Sequence, residues 1–173
     1  TEALVRAPRG ERHLADEFLD LGARRGLSAV PVPPLRPSIA GAEAAERLLA
    51  RAGIAPGERF ALLGPRSAFG PAREWFAERF VGAGRGLAGR GLRVVVCGTA
   101  AEEASCSAVA SGIGPAAVSL AGRTPLPALV SLAAGARLAL CNDSGLAHVA
   151  AATGTPTLQI YGSASSAWTA ARG

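Results

Sequence analysis

The chain has 173 residues, 49% hydrophobic and 18% charged, a composition that excludes disorder and supplies one good core. Its net charge of +5 rests on arginine alone, because no lysine is present, and the arginines stand singly or in pairs. With only five Phe, two Trp and one Tyr and no basic stripe, this reads as an arginine-coated surface that also suits a small anionic ligand, not as a nucleic-acid face.

In chain order, "GERHLADEFLDLGARR" (10–25) places Leu14, Phe18 and Leu21 at helical spacing and predicts an amphipathic helix. The segment "LSAVPVPPLRPS" (27–38) carries Pro31, Pro33, Pro34 and Pro37, which forbid helix and favour an extended strap or linker. A second helix is expected over about 39–52, with Ser38 as its N-cap. "RFALLG" is a short buried strand, and 71–88 is expected to be one helix with Pro71 in its first turn. "LRVVVCG" is the clearest strand. "TAAEEASCSAVASG" is a helix with Thr99 near its N-cap and acids in its first turn. "AVSLAG" is a strand, and "TPLPALVSLAAGA" a helix that Thr124 is expected to cap, with Pro125 at its first position. "RLALCN" is a strand, "SGLAHVAAAT" a helix closed by Gly154, and "PTLQIYG" the last strand. The end, "SASSAWTAARG", reads as a polar, structureless tail around Trp168.

Apolar runs without alternation, separated by helices, indicate strands covered on both faces, and repeated β-α units give a doubly wound parallel α/β sheet. Cys97, Cys106 and Cys141 form no CxxC pair and no metal spacing. Cys97 and Cys141 each end an apolar run and read as small buried hydrophobes. No cofactor or metal is expected. No signal peptide or spanning helix is visible, and a reducing, cytoplasmic compartment fits. The chain starts at Thr1 without any Met, so it is expected to be part of a longer protein.

Ligands of open α/β sheets sit beyond the carboxyl ends of the strands, so the turns there carry the chemistry. "GRGLAG" (84–89) matches a dinucleotide fingerprint, but it ends a helix and precedes a strand, the reverse of what that motif needs. "NDSG" stands better. Ser144 and Gly145 open a helix whose N–H groups have no intrahelical partner and suit a diphosphate, and Gly145 leaves the backbone open to close approach. Capping alone explains Asp143 or Ser144. It does not explain His148, four residues beyond Ser144, and on spacing the two readings balance. A hydrolase triad of Asp143, Ser144 and His148 is rejected, since no nucleophile elbow is present. In "GPRSAFGPAREW" Arg73 is placed to clamp phosphate, or else is solvated. An acid in "GTAAEE" suits ribose hydroxyls, or simply the helix dipole.

Taken together, "GPRSAFGPAREW", "VVVCGTAAEE" and "LAGRTPLPALVSLAAGARLALCNDSGLAHVAAATGTPTLQIYG" resemble the heptosyltransferase family of glycosyltransferases, glycosyltransferase family 9, over about residues 58–168. "RHLADEFLDL" resembles the helix that leads from that family's first domain into its second. The resemblance implies the Rossmann-like C-terminal half of a two-domain GT-B enzyme. Residues 1–38 would then be interdomain helix and linker, and 39–173 the nucleotide-sugar domain, incomplete at its C-terminus and without the N-terminal acceptor domain. It implies an inverting transfer of heptose from ADP-heptose, or another nucleotide sugar, to the lipopolysaccharide inner core, at most peripheral to the inner membrane through the other half. Asp143, Ser144, Gly145 and His148 match the family turn that holds diphosphate and sugar. Arg73 falls on a basic residue, commonly Lys, that offsets charge on the departing diphosphate. Glu102 falls on the acid that receives the adenosine ribose, and Ser67 and Thr124 on positions lining the crevice. The family's general base is a carboxylate of the N-terminal domain, and Asp16 and Asp20 sit in no matching motif, so this chain alone is expected to bind donor and transfer nothing. Two alternatives are a sugar-nucleotide 2-epimerase, whose turn usually continues with Gly and Glu where this chain has "DSGLAH", and a non-catalytic nucleotide-sugar binding module.

Overall fold

A computed structural model describes residues 11–28, 34–67, 70–163 and 165–172. In order come α1 (Leu14–Ala23), α2 (Ile39–Arg51), β1 (Phe60–Gly64), α3 (Ala77–Ala88), β2 (Arg93–Val96), α4 (Glu103–Ile113), β3 (Ala117–Ser119), α5 (Leu126–Gly135), β4 (Ala139–Asn142), α6 (Gly145–Ala152), β5 (Thr157–Ile160) and α7 (Ser166–Thr169). Single 3-10 turns at Pro71–Arg73 and Ala100–Glu102 precede α3 and α4. The five strands form one parallel sheet in the order β3-β2-β1-β4-β5. This is the doubly wound α/β fold that the strand–helix alternation predicts.

Alternate side chains of each strand enter opposite layers, which is why the strands read as unbroken apolar runs. Leu62, Val95 and Cys141 pack under α2, α5 and α6, with Leu132, Ala133, Ala147 and Ala150. Leu63, Val94, Val96 and Leu140 pack under α3 and α4, with Phe80, Cys106 and Val109. Gly41 lets α2 cross α5 closely: a Cβ there would overlap the Pro127 carbonyl oxygen and lie 2.9 Å from its carbon. Ser38 caps α2 as expected, its hydroxyl accepting from Gly41 N at 3.1 Å.

Three local expectations need correction. The helix over 71–88 is interrupted, because Glu74 and Phe76 are extended, at φ −102, ψ 136 and φ −61, ψ 136. Side-chain bonds outcompete the helical ladder there: Glu74 Oε1 accepts from Ser67 N, and Asn142 Oδ1 from Trp75 N. Thr124 does not cap α5. Pro125 is the N-cap residue, at φ −56 and ψ 150, and no side chain bonds to the freed N–H groups. The C-terminal tail is not structureless, since α7 forms and Trp168 is half-buried.

That tail is tied to α1. Arg172 makes a two-pronged bond to Asp16, at 2.7 and 2.9 Å, which draws the carboxyl below its usual range. His13 Nδ1 accepts from Ala15 N, so Nε2 carries the proton and donates to Ala170 O at 2.9 Å. Helix α1 forms as read, but its apolar face is largely uncovered, with Phe18 62% and Leu21 36% exposed. Of the proline strap, residues 29–33 lie outside the described residues; beyond them Leu35 N donates to Ala152 O at the end of α6. "GRGLAG" does finish α3, with Gly89 as its C-cap.

All three cysteines are buried and unpaired. Burial pushes the thiols of Cys97 and Cys141 up to about 12 and that of Cys106 to about 11, so almost no thiolate exists at pH 8. A thiol reagent at pH 8 is therefore expected to label none of them in the folded chain and all three in denaturant. Rapid labelling of the native protein would contradict this packing.

Candidate functional site

In this strand order the chain winds outward from β1 to β3, then returns to β4 on the other side of β1. The topological switch therefore lies between β1 and β4, where a crevice opens at the carboxyl edge. A cavity of about 770 Å³ occupies that edge, with walls from the loops after β1, β2, β3 and β4. Along the sheet it presents Arg123 and Thr124 after β3, Glu102 and Thr99 after β2, Arg66 after β1, and Ser144 and Gly145 after β4. Leu126, Leu129, Leu146 and Val149 give it an apolar side. A second concavity of about 510 Å³ beside α3 and β5 is lined mainly by apolar groups.

Each wall is fixed by local chemistry. After β4 the chain turns extended at Ser144, φ −151 and ψ 165, and α6 starts at Gly145. The Ser144 hydroxyl does not cap the helix, and its oxygen is buried without a partner. This is not the capping that alone explains a serine at this position. The first N–H groups of an eight-residue helix and an unused hydroxyl meet at the cavity, a donor set suited to an oxyanion. Nothing stands within 4 Å of where a Gly145 Cβ would be, so a ligand has free approach.

The β2 and β3 loops are laced together. Gly122 N donates to Gly98 O at 3.0 Å, and Gly122 holds φ +72 while a Cβ on it would lie 3.0 Å from Ala100 Cα. Glu102 lines the cavity, yet one of its carboxylate oxygens is engaged. Oε2 accepts from Thr99 N at 2.7 Å in a capping box, which leaves Oε1 for a ligand. Arg123 donates to Ser119 O at the end of β3.

Ser67, Arg73 and Asp143 are brought together beside the cavity instead of lining it. Ser67 Oγ donates to Asp143 O at 2.9 Å, and Arg73 pairs with Asp143 Oδ2 at 3.3 Å. The other Asp143 oxygen accepts from Gln159 Nε2 at 2.9 Å, and Gln159 Oε1 accepts from Ala171 N. A Cβ on Gly162 would overlap Ala72 O and lie 3.0 Å from Arg73 Cα, so this glycine lets the β5 loop rest against the Arg73 turn. The carboxylate of Asp143 thus works as a fastener. His148 is exposed and does not line the cavity, whereas Val149 does. The four-residue spacing misleads here because Ser144 is an extended N-cap, outside the helical period that begins at Gly145.

Two residues of this region carry no signal in the motif reading. Asn142 is fully buried, accepting from Trp75 N and donating to Pro65 O at 2.8 Å. Arg66 pairs with Glu74 across eight residues. Among the described residues no three His, Cys, Asp or Glu side chains gather as a metal set, and no helix is long and apolar enough to cross a membrane.

The sequence model of the family described as "Glycosyltransferase family 9 (heptosyltransferase)" matches residues 8–172. Lipopolysaccharide heptosyltransferase 2 of Salmonella typhimurium is 31% identical over 161 residues, which is 90% of this chain and 46% of that protein. The structure of E. coli ADP-heptose lps heptosyltransferase II aligns with TM-score 0.73 at 25% identity, over 85% of this chain and 45% of the other. The family 9 glycosyltransferase structure from Veillonella parvula aligns with TM-score 0.84 at 21% identity, over 96% and 49%, a likeness of fold. This chain spans about half the length of the relatives it matches.

Proposed function

The chain belongs to glycosyltransferase family 9, the heptosyltransferases, and from that premise we propose that its cavity seats the nucleoside diphosphate of a nucleotide sugar, with ADP-heptose as the donor. The carrying observation is the N-terminus of α6 at the switch-point cavity, where Ser144 and Gly145 line the wall and the buried Ser144 hydroxyl has no partner. The order of groups along the sheet edge supports it: oxyanion donors after β4, an acid for ribose hydroxyls after β2, and apolar side chains with Thr124 for the base. Residues 39–173 form the donor-binding domain of a GT-B enzyme, and residues 1–38 lead into it. With an acceptor domain supplying the general base, heptose passes with inversion to the lipopolysaccharide inner core, in the cytoplasm or at the inner-membrane face.

In this mechanism the nucleoside diphosphate leaves with growing negative charge. Fixed N–H dipoles at Ser144 and Gly145 stabilise that charge at no cost in reorganisation. Arg73, held by Asp143 beside the cavity, adds positive charge near that group, and His148, outside the cavity lining, serves the sugar end of the donor. Replacing either in a protein that transfers heptose and finding an unchanged rate overturns their assignment. A second reading, a binding module without catalysis, is favoured by one observation. The three aspartates are engaged: Asp143 by Arg73 and Gln159, Asp16 by Arg172, and Asp20 by Arg12.

Calorimetric titration of the chain with ADP, UDP and GDP tests the seat itself. ADP is expected to bind most tightly, and equal, negligible binding of all three would reject both readings.

A further inference from the structure

We propose that Arg66, held in place by Glu74, is the guanidinium that neutralises the diphosphate inside the cavity. This rests on the reading of the cavity as a nucleoside-diphosphate seat and names a residue that no motif in the sequence singles out.

The observations contrast two arginines. Arg73 is paired with Asp143 and lies outside the cavity lining, whereas Arg66 lines it. Arg66 leaves β1 at the switch point, so it shares the crevice with Ser144 and Gly145 on the neighbouring β4 loop. Its NH1 donates to Glu74 Oε2 at 2.7 Å, while Glu74 Oε1 accepts from Ser67 N at 3.0 Å. The glutamate side chain is 9% exposed and that of the arginine 40% exposed. Glu74 is therefore the fixed anchor, and Arg66 the group that reaches out. Its Nε is buried and has no partner.

A guanidinium has five N–H donors in a rigid fork, and the recorded bond to Glu74 uses one of them. An oxyanion entering beside Ser144 supplies acceptors for what remains, in the paired geometry that phosphate offers. Because the ion pair already orients the fork, little further ordering is needed on binding. Glu102, Arg66 and Ser144 line the cavity from the loops after β2, β1 and β4, which are neighbours in the sheet. Arg66 then stands between the Glu102 wall and the α6 N-terminus, where a diphosphate would bridge from ribose to sugar.

The test is calorimetry of ADP, AMP and adenosine with the 173-residue chain and its variants. Arg66→Gln keeps a donor for Glu74 but removes the charge. It is expected to weaken ADP on the order of 10- to 100-fold, AMP less, and adenosine not at all. Arg66→Lys, which keeps charge without the fork, should fall between, and it preserves the test if the glutamine variant folds poorly. Glu74→Gln should weaken ADP severalfold when Arg66 is present and have no effect in the Arg66→Gln background, a coupling that a purely structural role would not produce. Equal losses for ADP and adenosine, or an unchanged ADP affinity, overturn the role of Arg66 alone. Wild-type protein that binds none of the nucleotides overturns the seat as well.

Discussion

Replacing Asn142 by alanine is expected to lower the unfolding free energy by about 3 kcal/mol, roughly 1–3 kcal/mol for each of two backbone groups left unpaired, the buried Pro65 O and the part-buried Trp75 N. The Asn142 side chain bridges the end of β4 to two separate points of the β1–α3 connection, Pro65 O and Trp75 N. It is fully buried, so water cannot take its place. For a chain of this size the melting temperature should fall by roughly 6–12 °C. Asn142→Asp keeps an acceptor for Trp75 N but cannot donate to Pro65 O while ionised, so at neutral pH it should be destabilised too. An alanine variant melting within about 2 °C of the wild type would show that the connection is held by something else. The same substitution should loosen Arg66 and Glu74, because the loop it releases carries both.

Asp143→Ala is expected to cost about 2–3 kcal/mol, measured by urea unfolding. Loss of one partner of a buried pair typically costs about 3–5 kcal/mol, and the figure is discounted here because Arg73 is 30% exposed. Gln159 Nε2 loses its acceptor in the same step. Asp143→Asn, which retains one acceptor but no charge, should lose less. ADP affinity should fall in both variants, because Ser144 follows this residue directly and its extended backbone depends on the fastened turn. Unaltered stability of the alanine variant would mean that the Arg73–Asp143–Gln159 chain holds nothing. That chain also continues through Gln159 to Ala171 N, so the tail and α1 should be less protected from hydrogen exchange in both variants.

Much of this protein is legible from its amino acids because much of it is locally encoded. The valine run of β2, Ser38 before α2, and Gly154 at φ +79 after α6 each act within a few residues, and each lies where the pattern puts it. The family motifs likewise point to the loops that surround the cavity. Three features that the pattern does not anticipate share one cause. The 71–88 helix divides, Glu102 spends an oxygen on Thr99, and Asp143 serves Arg73 and Gln159, because hydrogen-bonding groups took partners that periodicity does not weigh. His148 falls outside the cavity lining because an N-cap residue does not share the period of its helix.

By itself, then, the sequence determined the order and type of the elements, the two-sided burial of the strands, and a helix start suited to phosphate, since propensity, capping and apolar spacing act over a turn or two of chain. Only the tertiary structure decided which polar groups face the cavity and which are consumed in building it. Ser67 meets Asp143, Asn142 meets Trp75, and Arg73 meets Asp143 across about 70 residues, and those choices are made where the parallel strands bring distant loops to one edge. There the cost of leaving a buried polar group unpaired selects one arrangement, in which Arg73 is fastened to Asp143 while Arg66 opens into the cavity.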